Sequence, residues 1–187
     1  MSAIVIVGNG PSLLGRGLGD LIDGFAEIVR FNGYQLMEHD RDVGRRTTIW
    51  SRTYNLVDDR PMDHLRAIWI NMPFHERTDS KIKTAFELVA GYQPTAEIVP
   101  RTEIALSLQE ATYGIGDTQY WPSSGLLAIA HALDAGYTDV FVAGIDAWNR
   151  EPFHYYEVHD RTGSHHLASV EQSYLRDLIS NGSIKVL

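Results

Sequence analysis

The sequence contains no cysteine among its 187 residues. This absence excludes disulfide bonds, thiolate metal sites and thiol catalysis. No apolar run approaches the roughly 20 residues of a transmembrane helix, and the first residues lack the basic start and cleavage site of a secretory signal. Positive charge is scarce, since 16 lysines and arginines stand against 24 aspartates and glutamates, a formal net charge of -8. A long nucleic acid is therefore not an expected partner, whereas a small phosphate ester held by backbone amides is.

The composition that remains is typical of one globular domain. Hydrophobic residues make up 44% and charged residues 21% of the chain, as in folded rather than disordered proteins. A chain of this length buries roughly 70% of the surface that it exposes when unfolded. Because no repeat or linker divides the sequence, we expect a single domain over residues 1–187 that is soluble and cytoplasmic.

The most informative stretch, residues 121–148, predicts a turn, a helix, a short loop and a strand in immediate succession. Small residues with helix N-cap chemistry open it, namely Ser123, Ser124 and Gly125. Apolar residues then recur at helical spacing as far as Gly136, a residue type that commonly follows the last turn of a helix. The uniformly apolar run at 140–143 is typical of a strand covered on both faces.

Two predicted strands end in glycine-containing turns where a ligand is expected. Gly144 and Asp146 follow the strand at 140–143, at the carboxyl end where open α/β sheets place their ligands. The strand at 3–7 leads into a turn suited to start a helix, with the candidate residues Gly8, Asn9, Gly10 and Ser12. Such a turn can form an anion site from backbone N–H groups, although an ordinary strand-to-helix turn fits the Gly-Asn-Gly pattern equally well.

Two asparagines lie at predicted strand ends. Asn9 can both donate and accept hydrogen bonds, which suits a phosphate or a nucleobase edge. Asn32 takes the corresponding place after the second predicted strand, residues 27–32, where it could bind a sugar or a base. From its position alone, a turn asparagine in the left-handed conformation is the better interpretation of Asn32.

The remaining pattern alternates strands with helices. Further strands are predicted at 47–50, 67–70, 97–99 and 184–187, and helices at 82–89, 101–111 and 170–178. This alternation predicts an α/β fold with a single doubly wound, Rossmann-like parallel sheet flanked by helices. The polar, aromatic-rich loop at 147–166 is long for a compact domain, so we expect it to act as a short lid over the site.

Histidines are concentrated in this loop, and three interpretations stay open. The first is a metal site, with ligands drawn from His154, His159, Asp160, His165 and His166, although their spacing matches no HExxH arrangement. The second is a single histidine that acts as a general base beside the strand ends. The third is a hydrated, histidine-rich loop without a role.

The motifs, taken in order, resemble the bacterial sialyltransferases of glycosyltransferase family 42, which is related to family 29. They are Gly8-Asn9-Gly10-Pro11-Ser12-Leu13, Arg30-Phe31-Asn32, Ser123-Ser124-Gly125, Gly136-Tyr137 and Gly144-Ile145-Asp146. His166, with Glu171 five positions on, completes the order. The resemblance spans nearly the whole chain and implies a GT-A-variant, nucleotide-binding α/β domain.

The resemblance also implies the use of CMP-sialic acid with no metal and no further cofactor. Asn9 and Asn32 match the family's nucleotide-binding asparagines, and the turn at 123–125 matches the one that contacts the cytidine and the donor carboxylate. The family's two phosphate-binding tyrosines fall at Trp148 and at Tyr155 or a neighbour.

The family's catalytic histidine falls on His166, with His165 as the alternative register. Other positions depart from the family's pattern. Trp148 and Gly163 replace tyrosines, and Trp121 replaces an arginine that helps to organise the site. The family's third asparagine has no clear match, since Ser51 or Arg52 occupies its neighbourhood; the chain is also shorter, with a reduced lid and no C-terminal membrane-associating tail.

These observations predict a metal-independent inverting glycosyltransferase that moves a sialic-acid-like sugar from a CMP-activated donor to a hydroxyl of a glycan or other acceptor. His166 would take the proton of that hydroxyl. The turn at 8–12 and hydroxyls near Tyr155 would stabilise the leaving phosphate, whereas Asp146, the only carboxylate at a strand end, is interpreted as structural.

Two alternatives stay open, and a homo-oligomer is compatible with each. The start GNGPSL and the segment GYxxVxxxGID also resemble the magnesium-dependent pterin diphosphokinase-like enzymes. A non-catalytic module that binds CMP or a glycan is the second alternative, because the lid is small.

Overall fold

A computed structural model describes residues 3–58, 64–92, 94–117, 119–147, 154–156 and 166–187. Within these ranges the strands form one parallel sheet in the order β5-β4-β3-β2-β1-β6-β7. The strands are β1 (Ile4–Val7), β2 (Glu27–Phe31), β3 (Ile49–Thr53), β4 (Ala67–Asn71), β5 (Thr95–Val99), β6 (Val140–Ala143) and β7 (Lys185–Val186).

Helices connect the strands and cover both faces of the sheet. They are α1 (Gly19–Asp23), α2 (Asp40–Val43), α3 (Asp79–Glu87), α4 (Thr102–Thr112), α5 (Ser124–Asp134) and α6 (Ala168–Ser180). Two short 3-10 turns, Pro11–Leu13 and Phe74–Glu76, follow β1 and β4. The predicted α/β fold with a single doubly wound parallel sheet is confirmed.

The core lies in layers on either side of the central strands. Ile4 and Ile6 of β1 share a buried cluster with side chains of α4, α5 and α6. Val5 and Val7 point to the opposite face and share a second cluster with side chains of α1 and α2. Because alternate residues of a strand face opposite sides of the sheet, a strand covered on both faces must be apolar throughout.

The third strand differs from its prediction, since it runs over Ile49–Thr53 rather than 47–50. Its later residues, Ser51 and Arg52, are polar but buried, so they do not read as a strand in the sequence. The Arg52 guanidinium lies 4.9 Å from the ring centre of Trp50 and donates to the carbonyl of Leu56. These contacts let a charged residue occupy a covered strand.

The order of the sheet reverses at β1, which has β2 on one side and β6 on the other. The turns after β1 and β6 are in direct contact there. The backbone N–H of Gly8 donates to the Ala143 carbonyl (2.8 Å), and that of Gly10 donates to the Gly144 carbonyl (2.9 Å). A Cβ on Gly10 would lie 2.4 Å from Asp146 Oδ2, so the contact requires glycine at this position.

We predict that Gly10→Ala lowers the free energy of unfolding by about 1–3 kcal/mol, because the added methyl group overlaps the Asp146 carboxylate. Gly91→Ala is the matched control, since no described atom lies within 4 Å of a Cβ built there. Urea denaturation of both variants measures the difference. Equal midpoints for Gly10→Ala and Gly91→Ala would contradict the close packing of the two turns.

Candidate active site

A carboxylate joins the turns at the reversal point. The backbone N–H of Ser12 donates to Asp146 Oδ2 (2.9 Å), and the Ser12 hydroxyl donates to the other carboxylate oxygen. The Gly10 N–H is taken by the Gly144 carbonyl. In the described structure these donors bind the chain's own acceptors, and the expectation that the turn at 8–12 binds the leaving phosphate stays a prediction. Asp146 holds the two turns together.

Asn9 and Asn32 connect neighbouring strand ends. The Asn9 amide nitrogen donates to the Phe31 carbonyl (3.3 Å) and to the Tyr156 hydroxyl (3.4 Å). The Asn32 side-chain oxygen accepts from the backbone N–H of Thr53 (2.9 Å), and its φ of 46° is left-handed, as the turn interpretation expects. Each asparagine keeps one polar atom, Asn9 Oδ1 and Asn32 Nδ2, with no partner among the described residues.

The tyrosines of the described segment 154–156 have different roles. Tyr155 is buried, and its hydroxyl donates to the carbonyl of Gln35. Its hydroxyl is thus engaged within the structure, and the expectation that Tyr155 or a neighbour binds a phosphate stays a prediction. The hydroxyl of the neighbouring Tyr156 lies beside the Asn9 side chain, where it accepts from Asn9 Nδ2 (3.4 Å). Trp148, the other expected phosphate contact, lies outside the described residues.

The turn at 123–125 begins α5 as predicted. Ser123 is the N-cap, and its hydroxyl accepts from the Leu126 N–H (3.4 Å). Its own backbone N–H donates to Glu171 Oε1 on α6 (2.7 Å). Ser124 and Gly125 form the first turn of the helix, where unpaired amides carry partial positive charge that favours an anionic group.

His166 lies two residues before α6, with its ring fixed against Trp121. Its Nδ1 lies 2.7 Å from the backbone carbonyl oxygen of Trp121. The neutral ring therefore carries its proton on Nδ1 and its lone pair on Nε2. The ring also packs edge-on against the Trp121 indole, with 6.2 Å between centres. A ring held in one tautomer is what a general base needs; His165, the alternative register, lies outside the described residues.

A buried carboxylate, Glu171, connects the helices around this histidine. Its Oε1 accepts from the Ser123 N–H (2.7 Å) and the Tyr113 hydroxyl (3.3 Å) and lies 3.8 Å from His166 Nδ1. The Tyr113 hydroxyl in turn accepts from the Leu167 N–H (3.1 Å). Burial raises the pKa of Glu171 to about 7, although the hydrogen bonds from Ser123 and Tyr113 act in the opposite direction.

A cavity of about 360 Å³ opens beside His166, at the carboxyl ends of β3 and β4 and the start of α5. Its volume is within the range of small-molecule sites. It brings His166 and Ser124 together, and Asn32 adjoins it through Thr53. The lining residues are Thr53, Tyr54, Asn55, Asn71, Pro73, Glu76, Trp121, Pro122, Ser124, Leu127 and His166.

Glu76 is the carboxylate that lines this cavity. Its Oε2 accepts from the Tyr54 hydroxyl (2.5 Å) and from Lys81 Nζ, and its Oε1 lies 3.5 Å from His75 Nε2. Burial by itself would raise the pKa of Glu76, but the hydrogen bonds from Lys81 and Tyr54 lower it below its ordinary value. Glu76 is therefore ionised at neutral pH.

Four residues that line or support the site gave little signal in the sequence, namely Asn71, Glu76, Tyr54 and Tyr113. Asn71 had the clearest one, because it ends β4 and so occupies the same kind of position as the other two asparagines. Glu76 lies in a 3-10 turn with no motif around it. Tyr113 acts through its hydroxyl at the end of α4, which no periodicity reveals.

Only two of the five candidate metal ligands, His154 and His166, lie within the described residues. Within the described ranges, no group of three or more histidine, cysteine, aspartate or glutamate side chains could hold a metal ion. His154 stacks on Tyr156 with 5.3 Å between ring centres. His159 and Asp160, like His165, lie outside those ranges. In the same part of the chain, no helix has the length and apolar character to cross a bilayer.

Sequence comparison relates the chain to sialyltransferases. The model of glycosyltransferase family 29 (sialyltransferase) matches residues 2–57. Human type 2 lactosamine alpha-2,3-sialyltransferase is 46% identical over 44 residues, which is 24% of this chain and 13% of that protein. Human CMP-N-acetylneuraminate-beta-galactosamide-alpha-2,3-sialyltransferase 4 is 26% identical over 98% of this chain. The chain spans 63% of the length of that second relative.

Structural comparison gives the same relationship for the fold. A mammalian sialyltransferase structure aligns over 100% of this chain and 68% of its own, with a TM-score of 0.70 and 18% identity. Sialyltransferase CstII from Campylobacter jejuni, solved with the substrate analogue CMP-3FNeuAc, aligns over 100% of this chain and 80% of its own, with a TM-score of 0.64 and 14% identity. The resemblance predicted from the motifs is confirmed, and the chain is sialyltransferase-like in its amino-terminal sequence and in its fold.

Proposed function

We propose that this chain is a glycosyltransferase that moves a sialic-acid-like sugar from a CMP-activated donor to an acceptor hydroxyl. The observation that carries the proposal is the fixed ring of His166, with Nδ1 2.7 Å from the Trp121 carbonyl oxygen in the wall of a cavity of about 360 Å³. The relatives supply the reaction class, because they are sialyltransferases.

The donor nucleotide fits the ends of β1 and β2. Asn9 Oδ1 and Asn32 Nδ2 offer an acceptor and a donor of hydrogen bonds at adjacent strand ends, and Tyr156 adds a hydroxyl beside them. A cytidine edge and a ribose present complementary groups. A structure of the same fold in complex with CMP-3FNeuAc supports a CMP-linked donor.

In the transfer step, the Nε2 lone pair of His166 takes the acceptor hydroxyl's proton as the oxygen attacks the anomeric carbon. The bond between that carbon and the phosphate oxygen breaks, CMP leaves with the electron pair, and the anomeric configuration inverts. The Tyr156 hydroxyl and the amides at the start of α5 would stabilise the charge on the departing phosphate. The scheme uses no metal ion, so metal independence is part of the proposal.

The other sequence-based predictions stay predictions. They are a single domain over residues 1–187, a cytoplasmic location and a homo-oligomer. The pterin diphosphokinase-like enzyme and the non-catalytic CMP- or glycan-binding module are the alternatives against which the following experiments discriminate.

We expect CMP to bind at least about tenfold more tightly than UDP, GDP or ATP, a difference of about 1.4 kcal/mol, because the paired asparagines suit a cytidine. Calorimetry measures the affinities, and turnover of a CMP-activated donor is followed with and without EDTA. A preference for a purine nucleotide, or activity that EDTA abolishes and magnesium restores, would favour the diphosphokinase-like enzyme. CMP binding without any turnover would favour the non-catalytic module.

His166→Ala should reduce transfer by roughly 10²–10⁴-fold, the usual contribution of a general base, with nearly unchanged CMP affinity. His165→Ala should have a much smaller effect. A base works in its deprotonated form, so wild-type transfer should fall at low pH, and His166→Ala should lose this acid limb. Equal, small effects of both substitutions would mean that the base lies elsewhere, with His154 or Asp160 as the next candidates.

Glu171→Gln should change how stability depends on pH. The native pKa of Glu171, about 7, lies above its ordinary 4.5, so the folded state binds more protons than the unfolded state between these values. The wild type should therefore lose stability relative to Glu171→Gln as the pH rises from 5 to 8, by up to about 3 kcal/mol at 1.36 kcal/mol per pKa unit.

Urea denaturation of the wild type and Glu171→Gln at pH 5 and pH 8 measures this change. Glu110→Gln, at an exposed position of α4, controls for the loss of one carboxylate. A stability difference between the wild type and Glu171→Gln that stays constant with pH would contradict the raised pKa of the buried carboxyl.

A further inference from the structure

The ring of His166 is held between two segments that lie outside the sheet. Its Nδ1 lies 2.7 Å from the carbonyl oxygen of Trp121, which comes shortly before α5, and its own backbone comes shortly before α6. The first N–H groups of a helix have no partner within the helix, and Leu167, the N-cap of α6, makes no side-chain cap hydrogen bond. The position of the ring therefore depends on what fixes these two segments.

The hydroxyl of Tyr113, the C-cap of α4, contacts the start of α6 twice. It accepts from the Leu167 N–H (3.1 Å) and donates to Glu171 Oε1 in the first turn of the helix (3.3 Å). A hydroxyl has one proton and two lone pairs, so both bonds can form at once. Burial raises the pKa of Tyr113, so the hydroxyl keeps its proton at neutral pH and remains a donor. The residue that follows the proposed base is thereby tied to α4.

The same end of α4 holds the segment that leads to Trp121. Gln109 is 2% exposed and lies four residues before Tyr113, hence on the same face of the helix. Its Nε2 lies within hydrogen-bond distance of three backbone carbonyl oxygens of this segment, those of Gly114 (3.2 Å), Asp117 (3.4 Å) and Tyr120 (3.1 Å). The ring of Tyr120, the residue before Trp121, stacks on that of Tyr113 with 6.2 Å between centres. Both partners of the contact between His166 and Trp121 are thus held by one helix end.

Tyr113 itself is not among the residues that line the cavity beside His166. Its effect on the reaction would therefore be indirect, through the orientation of the His166 ring. That orientation matters because a neutral histidine has one lone pair, which is on Nε2 only while Nδ1 carries the proton. A displacement of about 1 Å in a reacting geometry can cost about 100-fold in rate.

We propose that Tyr113 is a positioning residue for His166: its hydroxyl holds the Leu167 N–H against the end of α4 and so keeps His166 Nδ1 at the Trp121 carbonyl, in a single tautomer. This inference rests on the proposed function of His166 and adds to it a residue outside the cavity. Without the hydroxyl, the Leu167 N–H would lose this acceptor and the start of α6 could shift. The ring would then exchange between its two neutral tautomers.

Tyr113→Phe tests the proposal, because it removes the hydroxyl and keeps the ring that stacks on Tyr120. The variant should lower the kcat of transfer roughly 10–100-fold, as expected for a displaced catalytic group. The donor KM and the affinity for CMP should stay at wild-type values, since the proposed nucleotide contacts lie at the ends of β1 and β2.

A spectroscopic measurement separates positioning from a general loss of stability. The nitrogen chemical shifts of a histidine ring depend on which nitrogen carries the proton. NMR of protein with isotope-labelled histidine, assigned with His166→Ala, therefore reports the tautomer without any turnover. The wild type should have the His166 proton on Nδ1, and Tyr113→Phe should move both nitrogen shifts toward those of a tautomer mixture.

Tyr174→Phe is the matched control. Tyr174 lies on α6, half-buried against the core, and its hydroxyl has no hydrogen-bond partner in the part of the chain that the structure describes. This variant should keep the wild-type kcat and the wild-type tautomer of His166. If Tyr113→Phe does not fold, hydrogen exchange of the wild type takes its place: the Leu167 amide should be protected, and unprotected exchange would overturn the proposal.

An unchanged kcat or an unchanged His166 tautomer in Tyr113→Phe would overturn the proposal, as would equal effects of Tyr113→Phe and Tyr174→Phe. A rise in the donor KM that accounts for the lost activity would also overturn it, because the hydroxyl would then act on donor binding. Absence of donor turnover in the wild type would refute the proposed function. The tautomer of His166 could still be measured in that case, and it would decide by itself whether Tyr113 holds the ring.

Discussion

The contact between the turns after β1 and β6 positions everything else at the site. Hydrogen bonds from Gly8 and Gly10 to the opposite turn bring the two backbones as close as packing allows. Because the strand order reverses at this point, the crevice above it is the natural ligand site of the sheet. Asp146 accepts hydrogen bonds from the backbone N–H and the hydroxyl of the half-buried Ser12 and so keeps the two turns together.

Much of this could be predicted from the sequence, because strong local signals agree with the fold. The N-cap Ser123, the helix stop at Gly136 and the apolar strands each follow from chemistry that acts within a few residues. The relation between His166 and Glu171 is also visible as a spacing in the sequence. Because these features depend on residues close together in the sequence, they can be predicted without knowing how the rest of the chain folds.

The features that the sequence did not reveal have a common physical origin in longer-range contacts. Tyr155 and Tyr156 are equivalent in sequence, and only the Gln35 carbonyl, far away in the chain, decides which hydroxyl turns inward. The third strand was predicted too short because Arg52, a charged residue, lies in its second half. An aromatic ring and a backbone carbonyl stabilise this buried charge, and no sequence pattern indicates these contacts. Glu76 belongs to the site only because Tyr54 and Lys81 converge on it.

The position of Glu171 has a consequence for kinetic measurements. A carboxyl group with a pKa near 7 lies 3.8 Å from the Nδ1 of a histidine, and histidine itself titrates in the same range. At this distance the charge of Glu171 acts directly on the ring that is proposed as the base. A change in the ionisation of Glu171 would therefore alter the rate of the proposed transfer, although its carboxyl group is not among the residues that line the cavity.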